Sequence, residues 1–187
     1  MAEIIAALFR NFTLTLLVCG LLASADSLRR KPRPWAAGAV IEALFSYFIL
    51  FSIAIGYLNN FVMHVFFSEM TARFIGWDDS PFQIEVGFAS LGFSVIGFLA
   101  FRGSLAMRTA AVVGPACFLL GAAGTHLVNM LETGNYAPGN AGLIFYTDIM
   151  LPVISLTLLW LAHRWPVQPR SSMLRAAGAE EVEPKSA

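Results

Sequence analysis

Five stretches of this sequence are long and apolar enough to cross a lipid bilayer, at about 4–25, 35–67, 81–101, 108–131 and 141–162. A bilayer core takes about 20 largely apolar helical residues. Because lipid offers no partner for a stray N–H or C=O, a crossing segment satisfies its own backbone, and runs of this length do so as α-helices. Composition agrees: 57% of the 187 residues are hydrophobic and 13% are charged, about half the charged share of a typical soluble domain. A soluble enzyme, a disordered regulator and a small disulfide scaffold are all disfavoured. The expected fold is an all-α integral membrane bundle of five transmembrane helices over residues 1–165, with a polar, disordered tail over 166–187.

Charge orients the bundle. Arg29, Arg30, Lys31, Arg33, Arg102, Arg108, Arg164, Arg170, Arg175 and Lys185 fall on one side of a five-span arrangement, and only Arg10 and Arg73 of the twelve basic residues fall elsewhere. The positive-inside rule then puts the N-terminus outside and the C-terminus in the cytoplasm of a multi-pass inner-membrane protein. Ala23-Ser24-Ala25 resembles a signal-peptidase site. The basic cluster that follows at once resists translocation, so a retained first helix is expected. A single helix from Trp35 to Ile75 would be about 60 Å long, twice the membrane. The expectation is a bend near Gly56 or Asn59-Asn60, or an interfacial helix near 59–75, with Trp77 in the outer aromatic belt. Ser80-Pro81-Phe82-Gln83 reads as a capping box, with Ser80 the N-cap, Pro81 the first helical residue and Gln83 the third.

Ionisable residues inside spans are costly and mark function. His64, Glu85, His126 and Asp148 lie on four different spans, each within about 5–12 Å of the outer boundary at 1.5 Å per residue. Arg10, Asn60, Asn129 and Tyr146 share that depth. Imidazole and carboxylate together suit a divalent transition metal such as Zn, Fe or Mn, and facing helices build such sites in bundle cores. The same residue types also make a proton or ion relay. A third reading is structural, with Arg10 paired to Glu85 or Asp148 and the histidines bonded across helices. No HExxH or ExxH spacing is present; the signal is a coincidence of depth.

Other features carry less. Glu42, near the cytoplasmic start of the second span, is expected to reach water, and His163 and Trp165 read as interfacial anchors. Pro115 and Pro152 interrupt two spans. Cys19 and Cys117 are lone thiols in apolar runs and read as packing residues. Ser90-x-x-x-Ser94 and Cys117-x-x-x-Gly121 are candidate helix contacts, and such faces also suit a second copy or a membrane-protein partner. The turn-rich segment 134–142 either caps the polar layer or simply re-enters the membrane. Basic residues do not alternate with exposed aromatics, so nucleic-acid binding has no support. No nucleophile elbow, phosphate loop or dinucleotide fingerprint occurs, and the chemistry stays open between enzyme and non-enzyme.

Phe74-Ile75-Gly76-Trp77, Ser80-Pro81-Phe82-Gln83-Ile84-Glu85-Val86-Gly87, Ala137-Pro138-Gly139-Asn140-Ala141-Gly142 and Tyr146-Thr147-Asp148 form a pattern. With His64-Val65-Phe66 and Gly124-Thr125-His126, they resemble a family of small bacterial multi-pass membrane proteins of unknown function, over roughly 56–152. The resemblance implies the architecture and directs attention to His64, Glu85, His126 and Asp148; it brings no reaction, substrate or cofactor. The expectation is therefore an outer-facing His/carboxylate site that binds a metal ion or small ligand. The alternatives are a small proton-coupled transporter or ion-conducting subunit, and a non-catalytic membrane partner subunit.

Overall fold

The computed structural model describes residues 11–167, and every regular element in it is helical. Arg10, the first span before Asn11 and the tail after Val167 lie outside the described residues. The elements are α1 (Phe12–Arg29), α2 (Ala37–Phe66), α3 (Ser68–Ile75), α4 (Phe82–Ala100), α5 (Leu105–Thr133), the single turn α6 (Pro138–Ala141) and α7 (Leu143–Arg164). Five helices are long and apolar enough to cross a membrane: α1, α2, α4, α5 and the α6–α7 unit from Pro138 to Arg164.

Each helix stops where its residues dictate. Ser104 caps α5, its hydroxyl accepting from Met107 N at 3.3 Å, so this span starts three residues before the expected 108. Gly76 ends α3 with φ +80°, a left-handed conformation that costs a glycine nothing. The capping box at Ser80 does not form. The α4 start is closed by backbone, with Gln83 N bonded to Ser80 O at 3.0 Å, and neither the Ser80 nor the Pro81 side chain caps it. Gln83 is instead buried and turned toward α2.

α2 is the hub. Half of its most apolar window is buried, against 22–33% for the other four spans, so it is the helix around which the rest pack. Phe45, Phe48, Ile49, Ile53 and Tyr57 carry its part of the core, meeting Ala100 of α4, Ala111 and Val112 of α5, and Leu151, Leu158 and Leu159 of α7. Within α2 the segment Ile49–Ile55 is a π-helix, flanked by α-helix at Ala37–Phe48 and Gly56–Phe66. The expected interfacial helix near 59–75 is therefore corrected. Residues 59–66 continue α2, the chain breaks at Phe67 (φ −133°, ψ 38°), and only Ser68–Ile75 forms a separate helix. Met63 O, at the end of α2, accepts both from Phe67 N at 3.1 Å and from Thr71 Oγ1 of α3 at 3.0 Å, which ties the two helices together across the break.

Small residues let α4 lie against α2. Ser90 and Ser94 are buried there, and Ser94 Oγ donates to Ala54 O at 2.8 Å, so the Ser90/Ser94 contact face is as expected. The Cys117/Gly121 face is not: both residues are exposed and point away from the bundle.

The opposite end of the bundle holds a second departure. Glu42 was expected to reach water, yet it pairs with the buried Arg108 at 2.6 and 2.7 Å. Its remaining donors go to Ser46 Oγ and to the Ala100 and Phe101 carbonyls at the end of α4. A guanidinium can satisfy several helix-end carbonyls and a carboxylate at once because its five donors lie in a fixed plane.

The α2–α4 contact yields a test. A Cβ added at Gly97 would stand 2.9 Å from the backbone of Ala54, whereas one added at Gly92 meets nothing within 4 Å. Gly97→Leu is expected to destabilise the protein by about 3 kcal/mol or more through overpacking. Gly92→Leu is expected to stay within about 0.5 kcal/mol. Thermal unfolding in detergent reads both.

Candidate functional site

The four ionisable residues expected to converge come from the same end of the bundle, but only two of them meet. The buried face of α5 runs through Arg108, Ala111, Val112, Pro115, Ala123 and His126, one side of a 3.6-residue repeat. The buried face of α7 runs through Thr147, Asp148, Leu151, Pro152 and Ser155. Packing α5 on α7 brings His126 Nε2 to 3.7 Å from Asp148 Oδ2, with only 7% and 10% of the two side chains exposed.

The segment 134–142 closes over this pair, which decides between the two readings of it in favour of a cap. Asn140 is fully buried; its Oδ1 lies 2.7 Å from His126 Nδ1, and its Nδ2 donates to Asn135 O at 2.7 Å. The amide orientation follows from Asn135, whose carbonyl takes only a donor. Asn140 therefore presents an acceptor to His126, and Nδ1 of the imidazole carries hydrogen. Asn135 anchors the loop in turn. Its Nδ2 donates to Ile75 O (3.0 Å), Gly76 O (3.2 Å) and Asn129 Oδ1 (2.8 Å), and its Oδ1 accepts from Ala137 N. Asn129 Oδ1 also accepts from Trp77 Nε1 at 3.0 Å. Trp77 lies on the His126 ring, centroids 5.3 Å apart and planes 30° apart. Trp77, at the end where an outer aromatic belt was expected, thus also forms a wall of the histidine site.

The other two expected members stand apart. His64, half-buried on α2, has its Nδ1 bonded to Gln83 Oε1 on α4. Glu85 is exposed. The buried line of α4 is Gln83, Gly87, Ser90, Ser94 and Gly97, and a residue two positions after Gln83 is rotated about 200° from it. Of the four residues expected to form a metal centre, His64, Glu85, His126 and Asp148, the structure brings together only His126 and Asp148: depth is shared, rotation is not. Among the described residues no group of three or more His, Cys, Asp or Glu is arranged to hold a metal ion. His126 and Asp148 supply two donors, fewer than the three protein ligands of a catalytic zinc site.

The residues missed by sequence reasoning are Asn140, Asn135 and Gln83, neutral amides without the charge that singles out a residue in a span. Their signal lay in position: Gln83 on the small-residue face of α4, and the two asparagines in the turn-rich segment opposite His126.

Chemically, the arrangement fixes the imidazole's hydrogen on the side of Asn140. A neutral His126 then turns its Nε2 lone pair toward the Asp148 carboxyl. Two lone-pair groups facing each other in a buried space repel, and one added proton converts the repulsion into a bond.

Fold and site together define an all-helical protein, with five helices able to cross a membrane and a capped histidine–carboxylate pair at one end of the bundle. The chain belongs to DUF6790, a family of unknown function, whose family model matches residues 10–168. No curated protein and no solved structure matches the chain significantly.

Two substitutions test the site's supports. Asn140→Ala leaves His126 Nδ1 and Asn135 O buried without their partner and is expected to cost about 2–4 kcal/mol. Ser80→Ala, which removes no hydrogen bond made by that hydroxyl, is expected to stay within about 0.5 kcal/mol. Melting temperatures of both in one detergent decide; equal losses would contradict the assignment.

Proposed function

We propose that the chain is a five-span protein of a bacterial inner membrane, N-terminus outside, that takes up and passes on a proton at His126–Asp148 as a small proton-coupled transporter or ion-conducting subunit. The observation that carries this reading is the facing of Nε2 and carboxyl at 3.7 Å, with Nδ1 already committed to Asn140. The pair is within ion-pair reach but beyond hydrogen-bond length, so a gained proton closes it by roughly 1 Å and a lost one lets it part. Ionisable groups in membrane helices serve as proton relays because nothing else in lipid carries charge so cheaply.

Orientation is supported by the basic residues. Arg29, Arg30, Lys31, Arg33, Arg102 and Arg164 gather at the bundle end opposite His126, and by the positive-inside rule this supports an outer position for the pair. The opposite end is closed by Arg108–Glu42. His126 and Arg108 are 18 residues, five helical turns, apart on one face of α5, about 27 Å, close to the thickness of a bilayer core.

A second reading keeps the pair as half of a ligand site. A separation of 3.7 Å also suits two donors about 2.1 Å from one divalent transition ion such as Zn, Fe or Mn, the remaining positions being filled by a small ligand rather than by the chain.

Proteoliposomes separate the readings. Under an imposed pH gradient the wild type is expected to carry protons, and Asp148→Asn and His126→Gln to reduce flux at least tenfold while the protein stays folded. Metal analysis of the same preparations is expected to show no stoichiometric ion. Unchanged flux in both variants would overturn the proton reading. One bound ion per chain, lost in His126→Gln, would establish the metal reading in its place.

A further inference from the structure

Three helices are interrupted at one level in the middle of the bundle. α2 is π-helical over Ile49–Ile55, α5 contains Pro115 and α7 contains Pro152. A proline has no N–H for the carbonyl four residues before it, so each removes one bond from its helix ladder. π-helical turns recur at functional sites for a similar reason. All three interruptions face one small cavity of about 10 Å³, lined by Ser52, Tyr57, Pro115, Pro152 and Ser155 among apolar neighbours.

The hydroxyls around it are complementary. Tyr57 Oη donates to Pro115 O at 3.3 Å and Ser155 Oγ donates to Pro152 O at 3.0 Å, so both turn only lone pairs to the cavity. Ser52 Oγ is fully buried and has no hydrogen-bond partner, the one such side-chain atom among the described residues. Ser24, Ser90 and Thr109, in regular α-helix, donate to the carbonyl four residues before them. Ser52 does not, because the π-helical register moves that carbonyl. A buried hydroxyl left in this way costs about 1–3 kcal/mol.

We propose that this cavity is a binding site for one water molecule, held by the Ser52 hydroxyl as donor and by Tyr57 Oη and Ser155 Oγ as acceptors. The volume is at the lower limit for a single water, and three polar partners are the usual number for a buried one. The donor set selects water over a cation, because Ser52 presents a hydrogen and the apolar wall of Phe48, Ile53 and Leu119 offers no counter-charge. In that place the water links α2, α5 and α7 where their own ladders are broken. Its use as the next stop for a proton leaving Asp148, one helical turn before Leu151 and Pro152, rests on the reading given above; its occupancy does not.

Millisecond X-ray radiolysis of the wild type with mass spectrometry tests the occupancy without any flux measurement, so its failure is distinct from failure of the proton reading. A bound water makes hydroxyl radical in place, and Tyr57, only 6% exposed, is expected to be oxidised. In Ser52→Val, which removes the donor and fills the space, that label is expected to fall to background, while exposed Trp160 keeps its rate and reports an intact fold. Should Ser52→Val not fold, rapid mixing of the wild type into heavy-oxygen water gives the second arm. A held water exchanges slowly, so the earliest Tyr57 product is expected to carry light oxygen. An unlabelled Tyr57 in the wild type, a label unchanged in Ser52→Val, or a heavy-oxygen product from the first time point would each overturn the proposal. So would a sodium-dependent rise in melting temperature with no label at Tyr57, which would put a cation there.

Discussion

A polar group buried among apolar neighbours has only the chain itself for a partner, and this molecule is arranged around that restriction. The backbone meets it by being helical in all five described segments long and apolar enough to cross a membrane. The side chains meet it in clusters at the two ends of the bundle. At one end Arg108 distributes its donors over Glu42, Ser46 and two carbonyls at the end of α4. At the other, Asn135 satisfies the carbonyls that close α3, and Asn140, donating to Asn135 O, holds His126 beneath them. Removing one partner from such a cluster costs far more than the bond is worth, because the group left behind keeps its desolvation penalty. Two places depart from this pattern: Ser52 Oγ, fully buried without a partner, and the His126–Asp148 pair, which stands at 3.7 Å, beyond hydrogen-bond length.

The pair gives the account its functional content. His126 Nε2 and the Asp148 carboxyl face each other at 3.7 Å, within ion-pair reach but beyond hydrogen-bond length. In the function proposed above, this pair, short of one hydrogen between two acceptors, is the proton acceptor. The Trp77 ring and the segment 134–142 keep that acceptor covered.

Much of this was legible in the sequence because it rests on one-dimensional quantities. Apolar length located the second to fifth helices to within a few residues, and depth along a helix, at 1.5 Å per residue, put His126 and Asp148 in one layer. What depth does not carry is rotation. Glu85 shares the layer but points away, since the residues of α4 that are buried toward α2 are Gln83, Gly87, Ser90 and Ser94. Reading that stripe as the contact face would have removed Glu85 and brought Gln83 forward. The π-helical segment of α2 was beyond reach for another reason: Ile49–Ile55 is apolar throughout apart from Ser52, and a register shift there is decided by what packs around it. The Arg108–Glu42 pair escaped notice because both residues sit at span ends, where water is the default partner.

The most direct test of the central claim is the hydrogen on the imidazole of His126. The chain has three histidines, so nitrogen NMR of histidine-labelled protein in lipid nanodiscs, assigned with His64→Gln and His163→Gln, isolates one ring. If Asn140 fixes the imidazole, Nδ1 stays protonated throughout a pH titration and only Nε2 gains and loses hydrogen. A neutral His126 with its hydrogen on Nε2 and a bare Nδ1 would contradict the account.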